Sequence, residues 1–224
     1  MEKVFNIQVA DEIKNACPRF VGAAILADVQ NSTHNNGLWE KINTFIKEYK
    51  IHNPHIEDIK KNAPITATRE AYKKLGKDPN RYRPSAESLR RRILRDLPLY
   101  QVDTLVDLIN LVSMSTGYSI GGFDADKIAG NNIVLGVGQK DEPYEAIGRG
   151  MLNIEGLPVY RDNAGGIGTP TSDNERTKIE PGTSHLLAIV NGYSGKDGLS
   201  EAVDFMQDLL REFASAENLN VTYF

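Results

Sequence analysis

Few side chains in this 224-residue chain are of a type and spacing that do chemistry. Its four histidines are His34, His52, His55 and His185. His52 and His55 stand three apart across Pro54, a separation that two zinc ligands use, but no cysteine and no acidic third ligand joins them. His185 lies inside TSHLLAIV, where a buried, hydrogen-bonded core histidine is expected. The single cysteine, Cys17, excludes an intrachain disulfide and a cysteine-cage zinc site. Beside Pro18 it reads as a small core residue. Carboxylates are plentiful, but spacing alone singles out no pair. The stretch NAGGIGTPTSDN (163–174) contains G-G-x-G without the Lys-Ser/Thr of a phosphate-cradling loop. It reads as a flexible loop with left-handed positions, able to bring backbone NH groups close to a ligand. No metal and no cofactor is expected.

Charge is the more telling signal. From Arg69 to Arg95 the chain carries ten Lys or Arg against three acids (Glu70, Asp78, Glu87), a local +7 that leaves −11 on the remainder of a chain whose net charge is −4. A pI near 5.6 argues against a general nucleic-acid coat. A local basic segment suits either a phosphate backbone or a solvated helical face. The 40% hydrophobic and 25% charged content is that of an ordinary globular protein with a sizeable core. No apolar run approaches the roughly 20 residues that span a bilayer, and MEKVFNIQVADE lacks a signal layout. A reducing cytoplasm and no membrane partner are expected.

The elements that must position these groups follow from pattern. VFNIQVA alternates as a strand, and DEIKNACP reads as a short helix capped by Asp11. RFVGAAILADV is a continuous apolar run, consistent with a buried strand. Leu38, Ile42, Phe45 and Tyr49 mark an amphipathic helix over 38–49. HIEDIKKN and PITATREAYKKLG read as two short helices, and Ser85 as the cap of the next. YQVDTLVDLINLVSMSTG is the clearest helix, with Gly117 as its terminator. Beyond residue 118 the runs NNIVLGVG, LPVYRD, TSHLLAIV and NVTYF are short, apolar and divided by Gly, Asn and Pro. A late helix carries Leu199, Val203, Met206, Leu210 and Phe213. The layout predicts an α+β fold, with helices of the first half packed on a mixed or antiparallel sheet formed largely by the second half.

Read as one piece, LRRRILRDLPLYQVDTLVDLINLVSMSTGYSIGGFDADKIAGNNIVL resembles the B3/B4 domain of the bacterial phenylalanyl-tRNA synthetase beta chain. Val106, Asp107, Asn110, Val112, Met114, Gly117, Phe123, Asp124, Asp126, Lys127 and Ile128 fall in step with that family's helix-glycine-strand pattern. The resemblance is best over 82–135 and looser to 192. It implies a single B3/B4-like domain over 1–224, with an N-terminal lobe at 1–62 and a core at 63–224. It further implies a pocket for an amino acid esterified to a tRNA 3′ end, and trans-editing of mischarged tRNA by ester hydrolysis. Asn110, Gly121, Gly122, Gly165, Gly166 and Thr183 would line the pocket. Asp162, Asn174, Glu175 and Arg176 would contribute polar groups from the loop. Arg83, Arg90, Arg91, Arg92 and Arg95 would hold phosphates. The family's editing histidine falls at Gly121, and a glycine side chain does no proton transfer. No catalytic residue is assigned. A non-catalytic module binding an amino-acid-like ligand or an RNA end stays open beside the hydrolase, as does an unrelated small-molecule enzyme.

Overall fold

The computed structural model describes residues 4–224. Its strands form two four-stranded sheets and a short two-stranded ribbon. In one sheet, β1 (Asn6–Val9) runs parallel to β4 (Asn132–Val137), which pairs antiparallel with β7 (Pro158–Asp162) and through it with β8 (Gly165–Gly168). The other is antiparallel throughout. Its order is β10 (Glu217–Tyr223), β2 (Val21–Asp28), β9 (His185–Gly192), β3 (Ile120–Asp124). The ribbon joins β5 (Glu145–Ala146) to β6 (Gly150–Met151).

The antiparallel sheet is the middle of three layers. Ala23, Ile25, Ala188 and Val190 share one core with the helices. Ala24, Leu187 and Ile189 share another with Ile133, Leu135, Tyr160 and Ile167 of the mixed sheet. Both faces of β2 and β9 are thus covered, which is why GAAIL and LLAIV are apolar without alternation. Residues 1–62, expected as a lobe, contribute β1 and β2 to the two sheets.

The helical layer contains α2 (Asn36–His52), α4 (Ser85–Leu94), α5 (Thr104–Thr116) and α6 (Leu199–Ala214). Helix α1 (Asp11–Ala16) packs Ile13 against the mixed sheet, and α3 (Ala63–Lys74) follows a 3-10 turn at Ile56–Lys61. Two capping expectations and one helix shift. The residue before α1 is Ala10, with no side-chain cap; α4 is entered from Pro84, with Ser85 its first residue; HIEDIKKN forms the 3-10 turn. Helix α5 is firmly held. The Asp103 carboxylate accepts from Val106 N at 2.9 Å, and Asp107 accepts the Trp39 indole NH at 2.7 Å and Val102 N at 3.1 Å. Gly117 closes the helix at φ 90°, and Asn62 donates to Thr116 O at 3.2 Å. No helix among the described residues is long and apolar enough to cross a membrane.

The basic run folds around one acid. Glu87 is fully buried, with Arg69 Nη1 at 2.7 Å from Oε2, Arg91 Nε at 2.9 Å from Oε1 and Arg83 Nε at 4.0 Å. Arg69 also donates to Pro79 O and Asn80 Oδ1, which ties the turn after α3 to α4. Replacing Glu87 by Gln leaves the buried Arg69 and the half-buried Arg91 without a counter-charge, a change that costs about 3–5 kcal/mol in comparable buried pairs. The urea midpoint of Glu87→Gln is expected to fall accordingly. A midpoint equal to that of the parent would contradict a structural role for the cluster.

Candidate functional site

The bend between α5 and β3 carries the positions that the sequence assigns to a ligand pocket. Ideal side-chain positions there are already taken. A Cβ at Gly121 would stand 2.6 Å from Phe123 Cζ and 3.3 Å from Asp173 Oδ1. One at Gly122 would stand 2.6 Å from Ile109 Cδ1 and 2.9 Å from Ile179 Cδ1. Across the seam, a Cβ at Gly168 would stand 2.5 Å from Cζ of the same Phe123 ring, and one at Gly166 would stand 2.8 Å from Tyr144 Cδ2. These glycines admit neighbouring side chains. Only Gly165 of this group has open space and a left-handed φ of 133°. Within the stretch 163–174 read as a flexible loop, Gly165–Gly168 form strand β8, hydrogen-bonded to β7.

Asp173 is the group the sequence reading passed over. Its Oδ2 accepts from Gly122 N at 3.0 Å, and Gly168 pairs with it in an antiparallel bridge. The residue keeps some exposed surface while its carboxyl is enclosed. Burial pushes the carboxyl up to about 7, against the opposing pull of the Gly122 NH. Sequence gave no signal because Asp173 stands in a polar turn, and its relation to Gly121 exists only across two sheets.

Ser119 was also passed over. Gly117-Tyr118-Ser119-Ile120-Gly121 fits G-x-S-x-G, but it runs from helix to strand, the reverse of a nucleophile elbow. The Ser119 hydroxyl is buried and has no hydrogen-bond partner among the described residues.

The other expected contributors are dispersed. Asn110 lines a hollow of about 20 Å³ with Trp39, Leu99, Tyr100 and Asp107, and none of the glycines borders it. Thr183 donates to Asp124 Oδ2 at 2.9 Å and accepts from Glu180 N at 3.0 Å, a structural link. Asp162 binds Arg176 through both oxygens at 2.8 and 2.9 Å and accepts from the NH groups of Ala129, Ala164 and Gly165. Burial alone would raise its carboxyl, but Arg176 and these NH groups outweigh that and hold it below the usual range. Asn174 caps the 3-10 turn Glu175–Thr177, and Glu175 pairs with Lys178 at 2.6 Å. His185 is exposed, not buried. Its Nδ1 lies 2.7 Å from Asp126 Oδ2, which raises its pKa.

Of the five arginines expected to hold phosphates, Arg90 is buried and donates to Met114 O at 2.8 Å and Ser115 O at 3.1 Å, satisfying the carbonyl end of α5. Arg91 is engaged by Glu87, and Arg92 donates to Pro98 O while lying over the Tyr100 ring at 4.2 Å. Arg83 and Arg95 are the exposed members.

A family model described as B3/4 domain matches residues 67–214, well over half of the chain. The chain belongs to the B3/4 domain family. Among solved structures, this B3/4 protein is similar to an N-terminal fragment of the phenylalanyl-tRNA synthetase beta-subunit from Pyrococcus horikoshii, at 14% identity and a TM-score of 0.49. That alignment covers 99% of this chain and 52% of the fragment, so the chain spans about half the fragment's length. No curated protein matches the chain.

The raised carboxyl has a stability consequence. Asp173 keeps its proton in the folded chain up to about pH 7, whereas an unfolded aspartate loses it near 3.8. Between those values the folded state binds more protons, so stability falls as pH rises from about 4 to about 7 and is level above. Asp173→Asn is expected to remove that decline when urea midpoints are followed against pH. An identical decline in the variant would assign it to other groups.

Proposed function

We propose that this B3/4 protein is a tRNA-associated binding module without the hydrolytic step. Association with tRNA rests on the family match and on the resemblance of residues 82–135 to the synthetase B3/B4 domain. The observation that carries binding over hydrolysis is the packed bend. Gly121 stands where the resemblance places the editing histidine, and the Phe123 ring and Asp173 occupy the space beside it. Arg83 and Arg95 are the exposed two of the five arginines expected to meet phosphates, contacts that position an RNA without reading its sequence. The setting of such a partner is the cytoplasm.

A second reading keeps the reaction, and one observation favours it. Asp173 has a carboxyl near neutrality directly above Gly121. Once the seam parts to admit water, Asp173 as a carboxylate would take the proton of a water whose oxygen attacks the ester carbonyl carbon, and would return that proton to the departing ribose oxygen.

Deacylation of Tyr-, Ser- and Ala-charged tRNAs separates the two. The binding reading expects no loss above the spontaneous rate. Hydrolysis that disappears in Asp173→Asn would replace it with the second reading. For the RNA contact, the tRNA Kd is expected to weaken steeply with salt, and the Arg83→Glu/Arg95→Glu variant to lower that slope by about 1–2. Absence of tRNA binding at about 50 mM salt would end both readings.

A further inference from the structure

Away from the glycine bend, a cavity of about 640 Å³ opens between the α1–β2 turn, helix α3 and the loop after β9. Its size is within the range of small-molecule sites, roughly 300–1,000 Å³. None of the residues discussed as a tRNA or aminoacyl contact lines it.

The wall has a definite chemistry. Arg19, Lys60, Lys61 and Lys74 face two acids, Glu70 and Asp197. Glu70 is engaged by Lys73 at 2.7 Å and Lys61 by Asp58 at 2.7 Å, while Lys74 donates to Ala16 O at 2.9 Å. Arg19 and Lys60 are exposed and have no side-chain partner among the described residues. Two uncommitted cations on one rim attract an anion. Pro18, Pro64, Ala67 and Ala71 give the cavity an apolar side that a bare inorganic ion would not use.

Tyr193 also lines the cavity and is only 5% exposed. Burial also raises Cys17, another lining residue. It stays a neutral thiol that does not repel an anion.

We propose that this cavity binds a small phosphate-bearing organic ligand of nucleotide size. Arg19 and Lys60 meet the phosphate, and the organic body lies against the Pro18–Pro64–Ala67–Ala71 side. A free nucleotide and the terminal nucleotide of an RNA share this chemistry. The site stands on its own lining and does not depend on the tRNA reading.

The test is calorimetric titration of the full chain with AMP, adenosine, inorganic phosphate and a CCA trinucleotide. AMP is expected to bind with a Kd below about 1 mM, and adenosine and phosphate at least about tenfold more weakly. Arg19→Glu/Lys60→Glu is expected to weaken AMP by at least about tenfold. Ala67→Trp is expected to block the cavity, with an unchanged circular dichroism spectrum as the folding control. Because Cys17 is the only cysteine, AMP is also expected to slow its alkylation, read by mass. CCA binding tighter than AMP supports the site with an RNA end as its source, and AMP binding alone supports it with a free nucleotide. No heat with AMP or CCA, adenosine equal to AMP, or full affinity in the folded Ala67→Trp variant would overturn the proposal. AMP binding retained in Arg83→Glu/Arg95→Glu keeps its fate separate from that of the tRNA reading.

Discussion

The Phe123 ring sets how closely the two sheets approach. It is fully buried and rests in a notch made by two absent side chains, Gly121 on its own strand and Gly168 on the facing sheet. A methyl group at either glycine would fall well inside van der Waals contact with the ring, so the seam tolerates no larger residue without parting. The same closeness brings the Asp173 carboxyl to the Gly122 NH and shuts it away from water. One packing contact thus explains why these positions are glycines and why an aspartate there holds its proton.

Electrostatics follows a similar logic of internal use. A local +7 suggests an outward-facing field, yet much of it is consumed within the protein. Glu87 collects Arg69 and Arg91, and Arg90 closes the carbonyl end of α5. Arginine suits such work because its planar fork bonds several acceptors at once. A cation so engaged is poorly placed to meet a phosphate as well.

The fold was largely legible in the sequence. Continuous apolar runs marked β2 and β9, helical spacing marked α2, α5 and α6, and Gly117 ended α5 where its left-handed φ is needed. Asp124, one of the residues in step with the family pattern, caps the turn Ala125–Lys127. What escaped was relational. NAGGIG looks like a loop because its glycines carry no pattern, and only the rings of Tyr144 and Phe123 reveal why a strand there is made of them. His185 sits in an apolar word but at its first, exposed position, where the strand begins beside Asp126. Asp173 has no neighbour in sequence that announces it. The candidate site was therefore read one residue at a time, and the structure distributes those residues among caps, ion pairs and core contacts.

The strand order also has a temporal meaning. β2 is complete within the first 28 residues, but its two sheet neighbours are β9, ending at 192, and β10, ending at 223. On a ribosome this apolar strand waits until His185–Gly192 has been made before either edge is covered. Pairings so distant along the chain carry a large loop-closure entropy and slow folding. Until then the nascent polypeptide displays an unpaired, water-averse ribbon, the kind of segment that chaperones shield.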